Sequence, residues 1–258
     1  MDQRRMYGDL AWTWRIFSAK ENYVEEAEDF AALIREHSRL QPQTLLHLGC
    51  GAGHLDWTLQ KHFAITAVDA SPEMLELAQG LNPQVLYQRG DMRSVRLGQQ
   101  FDAVIVADSI DYMLGEEDLR AAFQTAWVHL RPGGVFCTYA EITREHFQQN
   151  ETRCSAHSHG HVDLAFFENN YDPDPADTTI QATFIYLIRR DGKLTIETDR
   201  HLCGIFAIQT WVELLQKVGF EVTVRELPDR PPMFAGLKTH GEEPEAAPGP
   251  VDRDEDGY

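Results

Sequence analysis

Three glycines spaced two residues apart are the residues of this chain best suited to hold a ligand. Gly49, Gly51 and Gly53 follow the short run 45–48, and apolar residues at helical spacing begin at Leu55. This order predicts a buried parallel strand, a tight turn and the start of a helix. Because glycine has no Cβ, a ligand can lie against the bare backbone of such a turn. The triplet alone leaves the ligand open, since many nucleotide sites contain one.

Two aspartates follow at the places where the next strands should end. Asp69 comes directly after the apolar run 64–68, and Asp91 comes shortly after the run 85–87. In open α/β sheets, ligands bind at the carboxyl ends of the strands. A carboxylate at the end of the second strand can accept hydrogen bonds from both hydroxyls of a ribose. Either residue could instead be a loop acid without a ligand, but their spacing from the glycines favours one shared site.

These motifs together resemble those of the class I S-adenosylmethionine (SAM)-dependent methyltransferases. The run 68–75 is similar to the family's second motif, and the Arg-Pro-Gly-Gly turn at 131–134 is similar to a structural feature of the family. The resemblance implies that Asp69 binds the ribose of SAM, that Asp91 holds the adenine amino group and that Met92 packs on the adenine ring. The SAM-binding set that it implies is Tyr7, Gly49, Cys50, Gly51, Gly53, Asp69, Ala70, Met74, Asp91, Met92 and Asp108.

The elements that must position these residues are those of a Rossmann-like, doubly wound α/β sheet. Apolar runs predict strands over 44–48, 64–68, 85–87, 101–107, 135–140, 220–225 and 234–237. Apolar residues at helical spacing predict helices over 23–38, 72–80, 116–130 and 210–218. Ser71 is the predicted N-cap of the second of these helices and Gly80 its end, while Thr210 and Glu213 form a capping box for the last. The resemblance implies one seven-stranded methyltransferase domain over residues 1–239.

The regular alternation of strands and helices stops between residues 141 and 203. Alternating patterns over 178–188 and 194–202, joined by Asp191-Gly192, predict a β-hairpin, and a further strand is predicted over 161–167. We expect an antiparallel β insertion that covers the active site as a lid. The three alternating histidines in this region have serine and glycine between them, which favours a loop, and no second element offers another ligand; no metal site is predicted. These histidines are His157, His159 and His161.

Three residues are candidates for orienting or deprotonating a methyl acceptor. In the family, the loop after the fourth strand faces the reactive methyl group, and here that loop is 108–114. Asp111 and Tyr112 are its most chemically useful residues, and His201 in the insertion is the third candidate. Each could equally be a structural polar residue.

Two further segments admit two interpretations each. Tyr7, Leu10 and Ala11 match a segment that folds over the cofactor in many small-molecule methyltransferases, but an N-terminal helix packed on the core is the alternative. His47 stands where the family usually has aspartate. It could support the glycine turn in place of that aspartate, or be a core histidine bonded to a backbone carbonyl.

Composition limits the classes of partner. The formal net charge is −18, from 23 basic and 41 acidic residues, so nucleic acid and anionic membranes are predicted not to be partners. No signal peptide, no membrane-spanning run and no C-x-x-C motif is found, which favours a reducing cytoplasm. Residues 240–258 are rich in acids and proline, and we expect a disordered, dispensable tail.

The sequence predicts an enzyme that transfers a methyl group from SAM to a small polar metabolite, with nitrogen preferred over oxygen. The hairpin insertion and the run 199–206 look like those of the deoxyaminosugar N-methyltransferases. Arg144 and Arg153 could then serve a phosphate or carboxylate of the acceptor, with surface charge as the alternative. A non-catalytic SAM-binding subunit is the competing class. The acceptor, the number of methyl groups and a homodimer are left open.

Overall fold

The computed structural model describes residues 3–226 and 230–239, and the predicted tail after Thr239 lies outside these described residues. Short 3-10 turns lead into the helices, which are α1 (Trp14–Phe17), α2 (Val24–His37), α3 (His54–Leu59), α4 (Pro72–Leu81), α5 (Glu116–His129) and α6 (Ile208–Val218). The strands are β1 (Thr44–Leu48), β2 (Ala64–Asp69), β3 (Leu86–Arg89), β4 (Phe101–Val106), β5 (Leu130–Tyr139), β6 (Glu151–His159), β7 (Val162–Tyr171), β8 (Thr179–Arg190), β9 (Lys193–Gly204), β10 (Phe220–Arg225) and β11 (Met233–Lys238).

The larger sheet has seven strands in the order β10-β11-β5-β4-β1-β2-β3. Strands β1 to β5 run parallel to one another, whereas β11 is antiparallel to both β5 and β10. This architecture confirms the predicted seven-stranded, doubly wound α/β sheet. Because β1 and β4 lie in its centre, the carboxyl ends of β1, β2 and β4 meet at one edge, where a ligand site is expected.

The core has one layer on each face of this sheet. Leu45 packs with α2 and α3, while Leu46 and Leu48 pack with α5 and α6. Successive side chains of a strand point to opposite faces, so an uninterrupted apolar run is what a strand covered on both sides requires. All three leucines are fully buried, which holds the start of the glycine turn in a fixed position.

The insertion forms a separate four-stranded antiparallel sheet in the order β6-β7-β8-β9. The predicted Asp191-Gly192 hairpin is confirmed, with positive φ at both turn residues (51° and 79°). The predicted loop at the histidines is wrong. His157 and His159 lie in β6, because β7 supplies the backbone partners that the local sequence did not indicate, and the turn comes at Gly160.

Two predicted helix ends differ from the structure because of distant contacts. The last helix begins at Ile208, where the Glu145 carboxylate accepts a hydrogen bond from the Ile208 amide (3.0 Å), so the capping box at Thr210 is wrong. Helix α4 passes through Gly80 and ends before Asn82, whose side chain is buried and donates to the carbonyl of Gly53 (2.8 Å). The Ser71 N-cap is confirmed.

Within the described residues, no helix is long and apolar enough to cross a membrane. Nor do these residues contain a cluster of three or more His, Cys, Asp or Glu side chains that could hold a metal ion.

Candidate active site

A cavity of about 460 Å³ lies at the carboxyl ends of β1, β2 and β4. Ligand pockets commonly measure about 300–1,000 Å³, so this one can hold a molecule of cofactor size. It is lined on one side by the glycine turn and on the other by the N-terminal 3-10 turns. Of the residues predicted for the SAM site, those that line it are Tyr7, Gly49, Cys50, Gly51, Asp69, Ala70, Asp91, Met92 and Asp108.

Gly51 and Gly53 of the turn are required for different structural reasons. Gly51 has a φ of +53°, and a Cβ built on it would meet no atom within 4 Å, so its backbone is bare toward the cavity it lines. Gly53 does not line the cavity. A Cβ there would lie 2.6 Å from the Tyr87 hydroxyl and 2.8 Å from Asn82 Nδ2, so this glycine permits packing between elements.

Asp69 is held by the backbone of the turns beside it. One carboxylate oxygen accepts from the Gly51 amide and the other from the Ser71 amide, both at 2.8 Å. Burial raises the pKa of Asp69, and these amides oppose the rise. Each oxygen keeps acceptor capacity toward the cavity. The arrangement suits a ligand with two adjacent hydroxyl groups.

Asp91 carries a neighbour that sequence reasoning overlooked. Arg93 forms an ion pair with it (2.6 Å), and the Arg93 amide donates to the same carboxylate (2.8 Å). Hydrogen bonds from Arg93 lower the pKa of Asp91 below its usual value. An adenine amino group would therefore share this acceptor with Arg93. Met92 lies beside the turn, since a Cβ on Gly49 would come within 2.7 Å of its methyl carbon.

One predicted SAM-binding residue lies behind the cavity. Met74 is fully buried against Ala11 and Ala52 and does not line the cavity. Its place on α4 supports the wall at Ala52.

His47 lines the cavity and is oriented by a buried aspartate. Its Nδ1 lies 2.7 Å from Asp56 Oδ1, and the second oxygen of Asp56 accepts from the Tyr87 hydroxyl (2.9 Å). The Nε2 atom of His47 has no partner among the described residues, and neither has the buried hydroxyl of Ser109, which also lines the cavity. Sequence reasoning missed Asp56 and Ser109. These two orphaned polar atoms at the cavity wall indicate that a polar ligand completes this site.

A chain of hydrogen bonds leads away from the cavity through His201. The Tyr7 and Tyr112 hydroxyl oxygens are 2.8 Å apart, and Tyr112 lies 2.6 Å from His201 Nδ1. On its far side, His201 Nε2 lies 2.8 Å from an Asp199 oxygen. Burial acts to raise the pKa of Asp199, but hydrogen bonds from His201 and the Met6 amide outweigh it and lower that pKa.

The ionised Asp199 sets the direction of every bond in this chain. Its carboxylate accepts a hydrogen bond from the N–H group at His201 Nε2. The other ring nitrogen, Nδ1, is then an acceptor, and the Tyr112 hydroxyl donates to it. The Tyr112 oxygen then accepts from Tyr7. His201 itself is 1% exposed and lines neither cavity, so it can reach a ligand only through the two tyrosines.

A second cavity of about 170 Å³ adjoins the first. Tyr7, Trp14, Asp108 and Tyr112 line both. Asp111 lines only the second one, beneath the four-stranded sheet of the insertion. Of the three predicted acceptor residues, the structure thus places Tyr112 between the cavities, Asp111 in the second and His201 behind Tyr112.

Comparison with known proteins agrees with this geometry. A family model described as a methyltransferase domain matches residues 45–134, which contain the glycine turn, Asp69 and Asp91. The fold is that of the class I methyltransferases. A similar solved structure is that of Streptomyces venezuelae DesVI, with a TM-score of 0.79 and 25% identity over 93% of this chain and 100% of that chain.

Two further methyltransferases are similar over different extents. The dTDP-3-amino-3,6-dideoxy-alpha-D-glucopyranose N,N-dimethyltransferase of Streptomyces fradiae is 36% identical over 117 residues, 45% of this chain and 46% of that protein. The match thus spans about half the length of this curated relative. The SAM-bound amino pentose methyltransferase CalS10 of Micromonospora echinaspora has the same fold, with a TM-score of 0.76 and 24% identity over 90% of this chain and 96% of that one.

Proposed function

We propose that this methyltransferase transfers the methyl group of SAM to a nitrogen atom of a small metabolite. The observation that carries the proposal is the pair of adjoining cavities, one of cofactor size and one smaller, which share Tyr7 and Tyr112. Relatives named as amino-sugar N,N-dimethyltransferases support nitrogen as the acceptor atom. A non-catalytic SAM-binding subunit would need the first cavity only.

The first cavity fits SAM because its donors and acceptors match the two polar ends of that molecule. Asp69 would accept hydrogen bonds from the ribose hydroxyls, and Gly51 would offer its bare backbone. The orphaned atoms of His47 and Ser109 would bond to polar groups of the bound molecule. When bound, SAM supplies an electrophilic methyl group attached to a sulfonium.

The tyrosines between the cavities would remove the proton of the acceptor amine. The amine N–H donates to Tyr7, Tyr7 passes its proton to Tyr112, and Tyr112 passes its own to His201 Nδ1. The resulting imidazolium is stabilised by Asp199. Burial raises the pKa of both tyrosines well above the usual value, so neither hydroxyl is ionised at rest. His201 and Asp199 are positioning residues in this account, and Tyr7 is the group that touches the acceptor.

The rest of the protein's contribution is alignment and exclusion of water. The N-terminal segment lines both cavities and the insertion lines the second, and the two are joined by the Arg5–Glu197 ion pair (2.9 Å) and by the Met6 amide bonded to Asp199 (2.6 Å). Holding the nucleophile in line with a methyl group converts a bimolecular step into an effectively unimolecular one. Covering the site strengthens the electrostatic interactions inside it.

A screen of amine and hydroxyl metabolites with radiolabelled SAM tests the proposal. We expect label to enter one class of small amines and not the matching alcohols. SAM binding without transfer to any small molecule would favour the non-catalytic alternative, and label in protein or RNA would contradict a small-molecule acceptor.

The proposed partner and cellular compartment rest on the net charge of the chain and on the state of its cysteines. With a net charge of −18, the chain would repel nucleic acid, so a free metabolite is the proposed partner. None of the four cysteines forms a disulfide, which is consistent with the proposed reducing cytoplasm.

A further inference from the structure

The second cavity is unusually acidic. Its walls carry the carboxyl groups of Asp108, Asp111, Glu141 and Glu168, and among the described residues that line it there is no Lys, Arg or His. Asp108 and Glu141 are exposed, Glu168 is half-buried and Arg153 pairs with Glu141 from outside the cavity, whereas Asp111 is buried. Burying a carboxylate without a cation is costly, so Asp111, with three further carboxyl groups on the same walls, calls for a positive ligand.

Asp111 shows most clearly that a partner for the carboxyl groups is missing. Its side chain is only 9% exposed, and its Oδ1 atom has no hydrogen-bond partner among the described residues. Burial raises the pKa of Asp111 well above its usual value, and the nearby Glu141 and Asp108 raise it further. Burial likewise raises the pKa of Glu141 to about 8. A cation in the cavity would reverse these shifts by favouring the ionised carboxylates.

Aromatic rings complete the wall. Phe17 and Phe166 stack at 4.7 Å between ring centres, and Phe166 continues to Phe184 at 5.6 Å. Trp14 and Tyr7 line the same cavity. Aromatic faces attract ammonium groups more than they attract neutral polar groups, and they do so most strongly when the cation is shielded from water.

The cation that these walls suit is not the reacting nitrogen. An amine must be neutral to attack a methyl group, and four carboxyl groups around it would hold it as the unreactive ammonium. The proton path through Tyr7 and Tyr112 lies at the boundary of the two cavities, where the reacting nitrogen belongs. The carboxylates of the second cavity are therefore free to hold a different group of the same molecule.

Neither arginine that sequence reasoning assigned to a phosphate is placed to receive one. Arg144 donates to the backbone carbonyls of Pro175 and Asp177. Arg153 pairs with Glu151 (3.2 Å) and Glu141 (3.6 Å). A diphosphate in the second cavity would face its carboxyl groups.

We propose that the second cavity binds a second ammonium group of the acceptor, one that keeps its proton during the reaction, so that the acceptor is a compact diamine and not an amine carried on a nucleoside diphosphate. The inference rests on the proposed function, because it assigns the two nitrogens of the acceptor to two places. The nitrogen beside Tyr7 loses its proton and is methylated, while the one among Asp111, Glu141 and Glu168 keeps its charge.

Matched probes separate the two roles. The full chain, saturated with S-adenosylhomocysteine, is titrated with linear diamines of increasing length and with amino alcohols in which one amine is replaced by hydroxyl. Calorimetry gives the affinities. We expect the best diamine to bind at least about tenfold more tightly than its amino alcohol, because a buried charge pair is lost in the latter.

Two variants and one control assign the effect to this cavity. Asp111→Asn and Glu168→Gln should each reduce the diamine preference to below about threefold, whereas Glu76→Gln on the exposed side of α4 should leave it unchanged. Thermal unfolding checks that each variant is folded. Equal binding of diamine and amino alcohol by the wild type, or tighter binding of a nucleoside diphosphate sugar, would overturn the inference. Transfer to monoamines without any preference for diamines would overturn the inference and uphold the proposed function, whereas failure to bind SAM would refute the proposed function and the inference with it.

Discussion

The imidazole of His47 is held by the carboxylate of Asp56 at 2.7 Å, and both side chains are at most 1% exposed. In the family that the sequence resembles, an aspartate is usual at position 47. Here the carboxylate belongs to Asp56, and His47 lies between it and the cavity. Because Asp56 bonds to Nδ1, the ring presents Nε2 to the ligand. The pair keeps a carboxylate near the site and places the Nε2 atom of His47 between that carboxylate and the ligand.

Replacing His47 should weaken SAM binding. His47→Asn can keep a donor near Asp56 but removes Nε2, and we expect a loss of roughly 1–2 kcal/mol in binding free energy. Calorimetry with SAM measures the loss, and His62→Asn, on the surface beside Glu28, is the matched control. An unchanged affinity in a folded His47→Asn protein would show that Nε2 does not contact the cofactor.

Asp69 should contribute more than any other single side chain of the SAM site. Asp69→Ala removes the acceptor for two hydroxyls and also the partner of the Gly51 and Ser71 amides, so we expect a loss of roughly 2–3 kcal/mol. Asp69→Asn, which keeps one oxygen, should lose less. Glu76→Gln is the control. If SAM affinity in Asp69→Ala equals that of the control, the ribose assignment is wrong.

The proton path should be visible as a pH-dependent effect on turnover. Tyr112→Phe breaks the link between Tyr7 and His201, and we expect kcat to fall by about tenfold or more while SAM affinity stays within about twofold. The ratio of wild-type kcat to variant kcat should decrease as the pH is raised, because more of the amine is then already neutral in solution. A ratio that is constant across pH would instead indicate a packing role for the Tyr112 hydroxyl. His201→Ala should show the same decrease.

Stability of the ligand-free protein should fall as the pH rises from mildly acidic to alkaline. Burial and the nearby Asp108 raise the pKa of Glu26 to about 8, and burial with Asp108 and Glu168 raises that of Glu141 to about 8 against the opposing Arg153. The folded state therefore binds these protons more tightly than the unfolded state does. The stabilisation is fully present below their usual pKa of 4.5 and is lost as the pH rises through about 8.

Thermal unfolding across this pH range measures the effect. Glu26→Gln combined with Glu141→Gln should flatten the decline, and the exposed Glu76→Gln should not. A melting temperature that climbs with pH over the same range would mean that these carboxyl groups are ionised in the folded protein.

Features encoded locally were predictable from the sequence, and features made by distant partners were not. The strand, glycine turn and Asp69 follow from residues adjacent in the chain, as do the Asp191-Gly192 hairpin and the Ser71 cap. Asp56 and Asp199 escaped notice because their roles depend on burial against other elements; Asp199, for example, bonds to the Met6 amide 193 residues away.

The acceptor residues illustrate the same limit. The sequence identified three side chains that can exchange a proton with an acceptor, Asp111, Tyr112 and His201. Their separate roles depend on which cavity each one faces. That division is set by the packing of β9 against the loop after β4, and no spacing in the sequence reports it.

The two ends of the insertion meet at a single parallel bridge between Thr143 and Phe206. A segment that leaves and re-enters a fold at one point can change in length or content without moving the elements on either side, since the entropy of closing a loop grows only slowly with its length. Strand β5 and helix α6 would keep their places whatever was spliced between them. Evolution, or an engineer, could therefore exchange the acceptor-facing sheet as a unit, provided that its contacts with the N-terminal segment, such as that of Asp199 with the Met6 amide, are kept.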